Sequence, residues 1–404
     1  MINIPTVDSL NVRGRRVFCR VDYNVPIEDG VISDTTRIDA TLPTLRLLRE
    51  RGARIILAAH FGRPKGQPNP KYSLAPVRET LAGIVGAPVA WAADCIGPEA
   101  ERAAAALKEG ELLLLENLRF HPEEEKNDPE FSKALRKLAD LYVNDAFGAS
   151  HRAHSSIAGL PELFAEGEKA AGLLLSRELE FLSKITEDPE APFVAVLGGA
   201  KIAGKIEPLE VLASKAASLL IGGGMANTFL AARGISMGGS LVDRDSLDVA
   251  KRILEGSKAE VVLPEDLVVT DSLDNPSRVE TVPASGGVPE SLLAVDIGPV
   301  TVESFKKRLD AAKLIFWNGP MGVFENEQFA RGTMAVAEAV AKSAATSVVG
   351  GGESVEAVNQ SGFADRISHI STGGGASLEF ISGATLPGIK ALEARNELAQ
   401  PAGR

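Results

Sequence analysis

The sequence predicts an α/β protein of two Rossmann-like three-layer lobes, each built on a parallel sheet, with a connecting helix between them. Three observations predict it. At 404 residues and 45% hydrophobic content, the chain exceeds what a single core organises, so two domains are the default. Short β-branched or leucine-rich runs alternate with helical patterns in both halves, the mark of repeated βα units. Most apolar runs of the second half end in glycine or proline, where open α/β sheets bind ligands.

In chain order, RVFCRV from Arg16, RIILAAH from Arg54, ELLLLEN from Glu111 and LYVNDA from Leu141 read as strands. TLPTLRLLRERG and PEAERAAAALKEG, lying between them, read as helices. After Gly172, LLLSRELEFLSKITEDP keeps apolar residues at helical spacing and runs into a polar, proline-containing stretch. It predicts a connecting helix over 171–189, with a first domain over 1–170, a second over 190–384, and a boundary near Pro189 and Pro192. APFVAVLGG, SLLIGGG, AEVVLPED, LLAVDIG, KLIFWNG, TSVVGGG and ISHISTGGG then read as the strands of a second βα series. The lobes share an architecture but no repeat of fixed period, and the tail from Gln400 is short and polar.

The net charge of −11 and the pI near 5.2 argue against nucleic acid or an anionic membrane as partner, since either demands a basic excess. An anionic small substrate stays open if basic residues cluster locally. The start, MINIPTVDSLNVRGRR, lacks a basic head followed by an apolar core, and no window approaches the ~18 uncharged residues of a membrane span. A cytoplasmic protein is expected. Cys19 and Cys95 are too few for a disulfide framework and read as structural thiols of a reducing compartment. The histidines lack the spacing of a zinc site and no cysteine supports them, so no transition-metal centre is expected.

The first lobe carries basic and polar side chains at strand ends and in the loops that follow. They are Asp22 and Asn24 in RVDYNVP, Arg37 in DTTRID, His60 and Arg63 in HFGRPKG, Arg119 in ENLRFHPEEEKND, and His151, Arg152 and His154 in FGASHRAHSS. A lone loop arginine is usually a solvated charge. Several at the ends of successive strands converge on one rim, and planar guanidinium forks there suit a small phosphorylated acid.

The second lobe has glycine clusters starting at Gly198, Gly222, Gly350 and Gly373, each ending an apolar run. Glycine at such turns lets backbone approach phosphates or an adenine ring closely. GAKIAGKI from Gly199 nearly meets the P-loop pattern but has Ile206 where a hydroxyl would hold Mg²⁺. GGGMAN and GGGESV lack the third glycine of a dinucleotide motif. Gly373 and Gly374 precede a helix start whose N–H groups and dipole would face an anion. Glu353 is the acidic candidate for Mg²⁺, and Glu325 for ribose hydroxyls.

RVDYNVP, HFGRP, ENLRF, NDAFGASHRAHSS, GGAKIAGK, GGGMANTFL, LPEDLVVTD, WNGPMGVFE, GGGES and STGGGASLEF stand in the order found in the phosphoglycerate kinase family, which the chain resembles from Arg20 to Phe380. The resemblance implies a monomer that passes a phosphoryl group between 1,3-bisphosphoglycerate and ADP, giving 3-phosphoglycerate and ATP. It implies a 3-phosphoglycerate site of Asp22, Tyr23, Asn24, Arg37, His60, Phe61, Gly62, Arg63, Arg119 and Arg152, with His151 and His154 nearby. For the nucleotide it implies Lys201 and Lys205 at the phosphates, an adenine pocket with Gly199, Gly223, Ala294 and Val295, and Glu325 at the ribose. Asn318, Pro320, Gly351, Gly352, Glu353 and Ser354 complete that site. Catalysis would fall to Arg37, Lys201, Mg²⁺ and the amides around Gly373 and Gly374. The resemblance also implies lobes separated by a hinged cleft and a segment of about 385–404 returning to the first lobe. Two departures, Gly204 and Glu353 where the family usually has Asp, touch nucleotide and metal binding. The rivals are another ATP-dependent phosphotransferase or P-loop ATPase, told apart by whether turnover needs 3-phosphoglycerate, and a two-lobed binding protein, which usually carries an export signal.

Overall fold

The computed structural model describes residues 4–28 and 30–393. The chain forms two compact units, Met1–Glu180 with the segment from Thr385 onward, and Phe181–Ala384. In the first unit, strands β1 (Arg16–Val21), β2 (Arg54–Ala58), β3 (Val89–Ala92), β4 (Leu112–Leu115), β5 (Leu141–Asp145) and β6 (Lys169–Ala171) form one sheet in the order β3-β4-β2-β1-β5-β6. All its ladders are parallel, with Val17 opposite both Ile55 and Leu141. Helices cover such a sheet on both faces, which is why β4 reads as four leucines, all buried.

Helix α1 (Thr36–Glu50) begins five positions before the TLPTLRLLRERG stretch, where Asp34 accepts from the Thr36 amide at 2.8 Å. Arg37 therefore sits in a first helical turn rather than in a loop. Helix α2 (Leu173–Thr186) follows β6, with Asp145 accepting from the amides of Leu174 and Leu175 at its start. Beyond Thr385, the chain packs on the first unit: the Gly388 amide donates to Ser150 O at 2.9 Å, and Lys169 Nζ donates to Ala391 O at 2.7 Å.

In the second unit, β7 (Phe193–Leu197), β8 (Ser218–Ile221) and β9 (Glu260–Val262) are joined by β13 (Leu314–Asn318), β14 (Thr346–Gly350) and β15 (His369–Ile370). Their order is β9-β8-β7-β13-β14-β15, again all parallel. LLAVDIG departs from the sequence reading. It forms β12 (Leu293–Ile297), which pairs antiparallel with β10 (Asp266–Thr270), itself antiparallel to β11 (Val279–Pro283). The link over 271–278 is shorter than the roughly dozen residues that a parallel crossover needs, so β11 folds back on β10; the link over 284–292 then carries the chain to the other edge of β10, where β12 runs antiparallel to it. Helix α3 (Ile206–Lys215) follows β7, α4 (Gly223–Ala232) follows β8, α5 (Arg331–Lys342) precedes β14, α6 (Gly352–Ser361) follows it, and α7 (Gly375–Ile381) follows β15.

Candidate active site

The first unit's polar residues leave from the carboxyl ends of β1, β2 and β4, as the parallel topology requires. Arg37 Nη1 reaches both Asp22 carboxylate oxygens at 3.2 Å and Asn24 O at 3.1 Å, while its side chain stays 36% exposed. The HFGR loop is clamped from two sides. Asn24 Oδ1 accepts from Gly62 N at 2.9 Å, Arg119 Nη1 donates to Gly62 O at 2.7 Å, and Asn117 accepts from Phe61 N and donates to Phe61 O. Gly62 has φ +58°, and a β-carbon there would run into the Tyr72 ring, so only glycine lets the loop lie down.

Arg20, which the sequence reading passed over, organises this rim. It is 1% exposed, donates through Nε to Ser156 Oγ at 2.9 Å and through a second nitrogen to Val21 O, and meets His60 Nδ1 at 3.1 Å. Guanidinium can only donate, so His60 Nδ1 accepts and its proton sits on Nε2. The signal was legible: a charge inside RVFCRV, a run that must be buried on both faces, demands partners. Burial, then the charges of Arg20, Arg119 and Arg152, hold His60 well below the usual imidazole range. Burial and the same arginines push His154 down to about 3, and burial with Arg152 lowers Arg119 to about 10. Arg152 Nε lies 3.2 Å from His151 Nε2. Buried Glu124, which accepts from Ser156 N and Oγ, and Glu125, 3.2 Å from Arg119 Nε, answer only part of this positive field. Arg119 Nη2 is buried without a hydrogen-bond partner.

Phe61 and Arg63 stand on the rim, half-buried and exposed respectively, Phe61 edge-on to Tyr72 at 6.2 Å. The Tyr23 side chain does not join them. It is buried in the core with its hydroxyl 3.0 Å from Thr41 Oγ1, so a hydrophobic neighbourhood claims the ring and only its backbone is left for a ligand.

In the second unit a cavity of about 210 Å³ is walled by Gly199, Gly223, Ala294, Val295, Pro320 and Glu325, with Glu353 at its margin. Backbone bonds stitch its rim: Gly199 N to Pro320 O, Gly223 N to Met321 O and Met225 N to Gly199 O. Gly223 has φ +62°, and a β-carbon there would stand 2.9 Å from both Gly199 N and Pro320 O, so glycine permits the three loops to meet. Lys205 Nζ donates to Gly198 O at 3.1 Å. Burial lowers its pKa and the charge of Glu353 opposes the shift. Lys201 is exposed, on a loop whose Ala203 amide donates to Asp243 at 3.1 Å.

Three of the expected site residues also bond within the protein. Asn318 is buried and donates to Gly350 O, Ser354 Oγ accepts from Gly319 N at 2.5 Å, and the Gly373 amide donates to Ser371 Oγ at 3.1 Å. Gly374 has φ +53° and turns the chain into α7. Gly351 has φ +93° and lies against the Asn318 amide, and Gly352 opens α6. Asp296, not anticipated, lines the cavity and accepts from Gly332 N at 2.5 Å. Its Oδ1 is buried without a partner, and burial pushes its carboxyl up to about 7.

The expectation that no cysteine supports a histidine fails. Among the described residues, Asp94, Cys95 and His121 bring one ligand atom each within 4.8 Å of one another. Spacing could not reveal this, because two different strands deliver the three. No helix among the described residues is long and apolar enough to cross a membrane.

A family model described as phosphoglycerate kinase matches residues 7–384. The phosphoglycerate kinase of Rubrobacter xylanophilus is 51% identical over 393 residues, 97% of this chain and 99% of that one. That of Moorella thermoacetica is 52% identical, covering 96% and 98%. Among solved structures, phosphoglycerate kinase from Coxiella burnetii aligns with a TM-score of 0.87 at 38% identity over 96% of this chain and 99% of that one. The enzyme from Pyrococcus horikoshii aligns at 0.85 and 34%, over 96% and 98%.

Proposed function

The chain belongs to the phosphoglycerate kinase family, and from that premise we propose how its residues divide the reaction. It is a phosphotransferase of glycolysis, exchanging a phosphoryl group between 1,3-bisphosphoglycerate and ADP. In our reading, residues 1–170 with 385–404 hold the phosphoglycerate, 171–189 connect, and 190–384 hold ADP or ATP. The observation that carries the first assignment is the cluster of Arg20, Arg119 and Arg152, whose charges add to burial in keeping two histidines neutral. Such a field lacks an anion, and a phosphorylated carboxylic acid supplies one.

Both nucleophiles, a carboxylate and an ADP phosphate oxygen, are already anionic near neutral pH. No general base is needed, so alignment and charge cancellation carry the rate. Arg152 and Arg119 anchor the non-transferring phosphate, and His60 offers Nε2–H as a neutral donor. The base enters the cavity against Ala294 and Pro320, the ribose meets Glu325, and Lys205 and Lys201 face the phosphates. Arg37 and Lys201 take the charge of the transferring group. The residues fit Mg²⁺: Glu353, exposed on the first turn of α6 beside Lys205, provides one carboxylate, and such sites take most other ligands from nucleotide phosphates and water. Bound there, Mg²⁺ would neutralise phosphate charge. Because the two ligands are assigned to different units, transfer draws on residues of both, and exclusion of water protects the phosphoryl donor. Each substrate finds its residues within one chain, and we place the enzyme in the cytoplasm as a monomer.

The test is a coupled assay with ATP, Mg²⁺ and 3-phosphoglycerate. ATP turnover should require 3-phosphoglycerate, and turnover without it would favour a P-loop ATPase. Lys201→Ala should lower kcat by about 100-fold or more, as loss of an electrostatic stabiliser does. An unchanged kcat would remove Lys201 from the transition state.

A further inference from the structure

We propose that Asp94, Cys95 and His121 form a binding site for one zinc ion in the first unit, distinct from any magnesium that accompanies the nucleotide. The topology builds it. Strands β3 and β4 are parallel neighbours, with Val89 opposite Leu112, so the chain leaves both at the same edge. Asp94 and Cys95 follow β3 at once, and His121 closes the short turn after β4.

His121 Nε2 lies 2.7 Å from Asp94 Oδ1, its ring steadied against Phe131 at 5.3 Å between centroids. The Cys95 sulfur completes a group whose ligand atoms all fall within 4.8 Å. Zinc takes sulfur at about 2.3 Å and nitrogen or oxygen at about 2.0–2.2 Å, which sets tetrahedral ligand atoms roughly 3.3–3.6 Å apart. Shifts of about 1 Å in the ligand atoms therefore seat the ion. Cys95 is buried, whereas Asp94 and His121 are half-buried, so the ion enters from the solvent side and a water fills its fourth position.

The donor set selects the metal. A thiolate and an imidazole favour zinc over magnesium or calcium, which prefer oxygen. Thiolate, carboxylate and neutral imidazole carry two negative charges, matching a divalent ion, so the filled site is neutral. Without metal the thiol keeps its proton, because burial and the charge of Asp94 oppose ionisation. Binding forms the sulfur–metal bond, releases that proton to solvent and moves the imidazole proton from Nε2 to Nδ1, so affinity rises with pH.

The experiment titrates the full-length enzyme, free of nucleotide and magnesium, with Co²⁺ and then with Zn²⁺. We expect a thiolate-to-cobalt charge-transfer band that saturates at one ion per chain and is displaced by zinc. Cys95→Ser should abolish the band and Cys19→Ser should keep it. His121→Asn should weaken zinc by at least about tenfold, no less than loss of an outer-shell partner usually costs. Absence of the band in the wild type, or its survival in Cys95→Ser, overturns the site. Should Cys95→Ser fail to fold, His121→Asn decides alone, and unchanged zinc affinity in it overturns the site equally.

Discussion

His154 is held neutral by burial, with the charges of Arg119, Arg20 and Arg152 adding to it, and this has a cost that pH can expose. Its folded pKa of about 3 lies below the unfolded value of 6.5. Between those limits the unfolded chain binds a proton that the folded chain refuses, so the stability present above pH 6.5 is lost as pH falls toward 3. His154→Gln should therefore gain Tm relative to the wild type as pH drops from 7.5 to 5, and parallel curves would mean that neither burial nor the arginine charges hold His154 neutral. Glu353 makes a second residue-level case. Its extra methylene relative to aspartate alters reach toward a small, rigidly octahedral ion. Glu353→Gln should raise the Mg²⁺ concentration for half-maximal activity, while Glu353→Asp should keep activity with an altered Mg²⁺ to Mn²⁺ preference. Wild-type Mg²⁺ dependence in the Gln variant would limit Glu353 to its electrostatic contact with Lys205. At this scale the sequence disclosed chemistry better than contact. Arginines and glycines at strand ends announced anion sites, but motif membership did not show that Asn24 clamps the loop at the rim or that the side chains of Tyr23, Asn318 and Ser354 also bond Thr41, Gly350 and Gly319.

At the scale of elements, short apolar runs found the strands because parallel strands are buried on both faces. They did not tell which sheet β12 joins, since an apolar run carries neither its partner nor its direction: β12 lies antiparallel to β10, on the edge opposite β11. The junction of β5, α1 and α2 shows a further level that no periodicity reveals. Asp145 ends β5 and accepts from Leu174 N at 3.0 Å and Leu175 N at 3.2 Å, while Thr44 of α1 accepts from Leu173 N at 2.9 Å. A β-carbon on Gly172 would collide with the Asp145 carboxylate, so glycine permits the close approach. Burial raises the Asp145 carboxyl from 3.8 to about 7, against the smaller pull of Thr44 and the two amides. The sign is opposite to that of His154. Stability contributed by the protonated acid is present below about pH 4 and lost as pH rises through 7. Asp145→Asn keeps an acceptor for the helix amides and cannot ionise. It should gain Tm over the wild type as pH rises from 5 to 8, by about 2–4 °C for each kcal/mol in a unit of this size. A difference that does not change with pH would mean that folded Asp145 is ionised across the range, as it is in the unfolded chain.

At the scale of the whole molecule, each of the two large sheets carries an apolar core among the described residues. One gathers Val17, Ile55, Leu114 and Val143, the other Val196, Trp317 and Val349. Each proposed ligand touches one unit only, and binding stabilises what it touches by mass action, about 2.7 kcal/mol at 100 times Kd, or roughly 100-fold slower amide exchange where opening of that unit controls exchange. Hydrogen exchange with 3-phosphoglycerate alone should therefore slow amides over 60–63, 117–121 and 151–157, and leave 198–205 and 319–325 at their rates in the unliganded enzyme. MgADP alone should do the reverse. Adding both should slow exchange around Arg37 and Lys201 beyond the product of the separate effects, because only the doubly occupied enzyme gives both side chains the anionic groups they are proposed to bind. Protection by 3-phosphoglycerate of the Lys201 loop in the absence of nucleotide would show that the substrate reaches the second unit by itself. The division of labour between the units would then fall, even with the kinase activity intact.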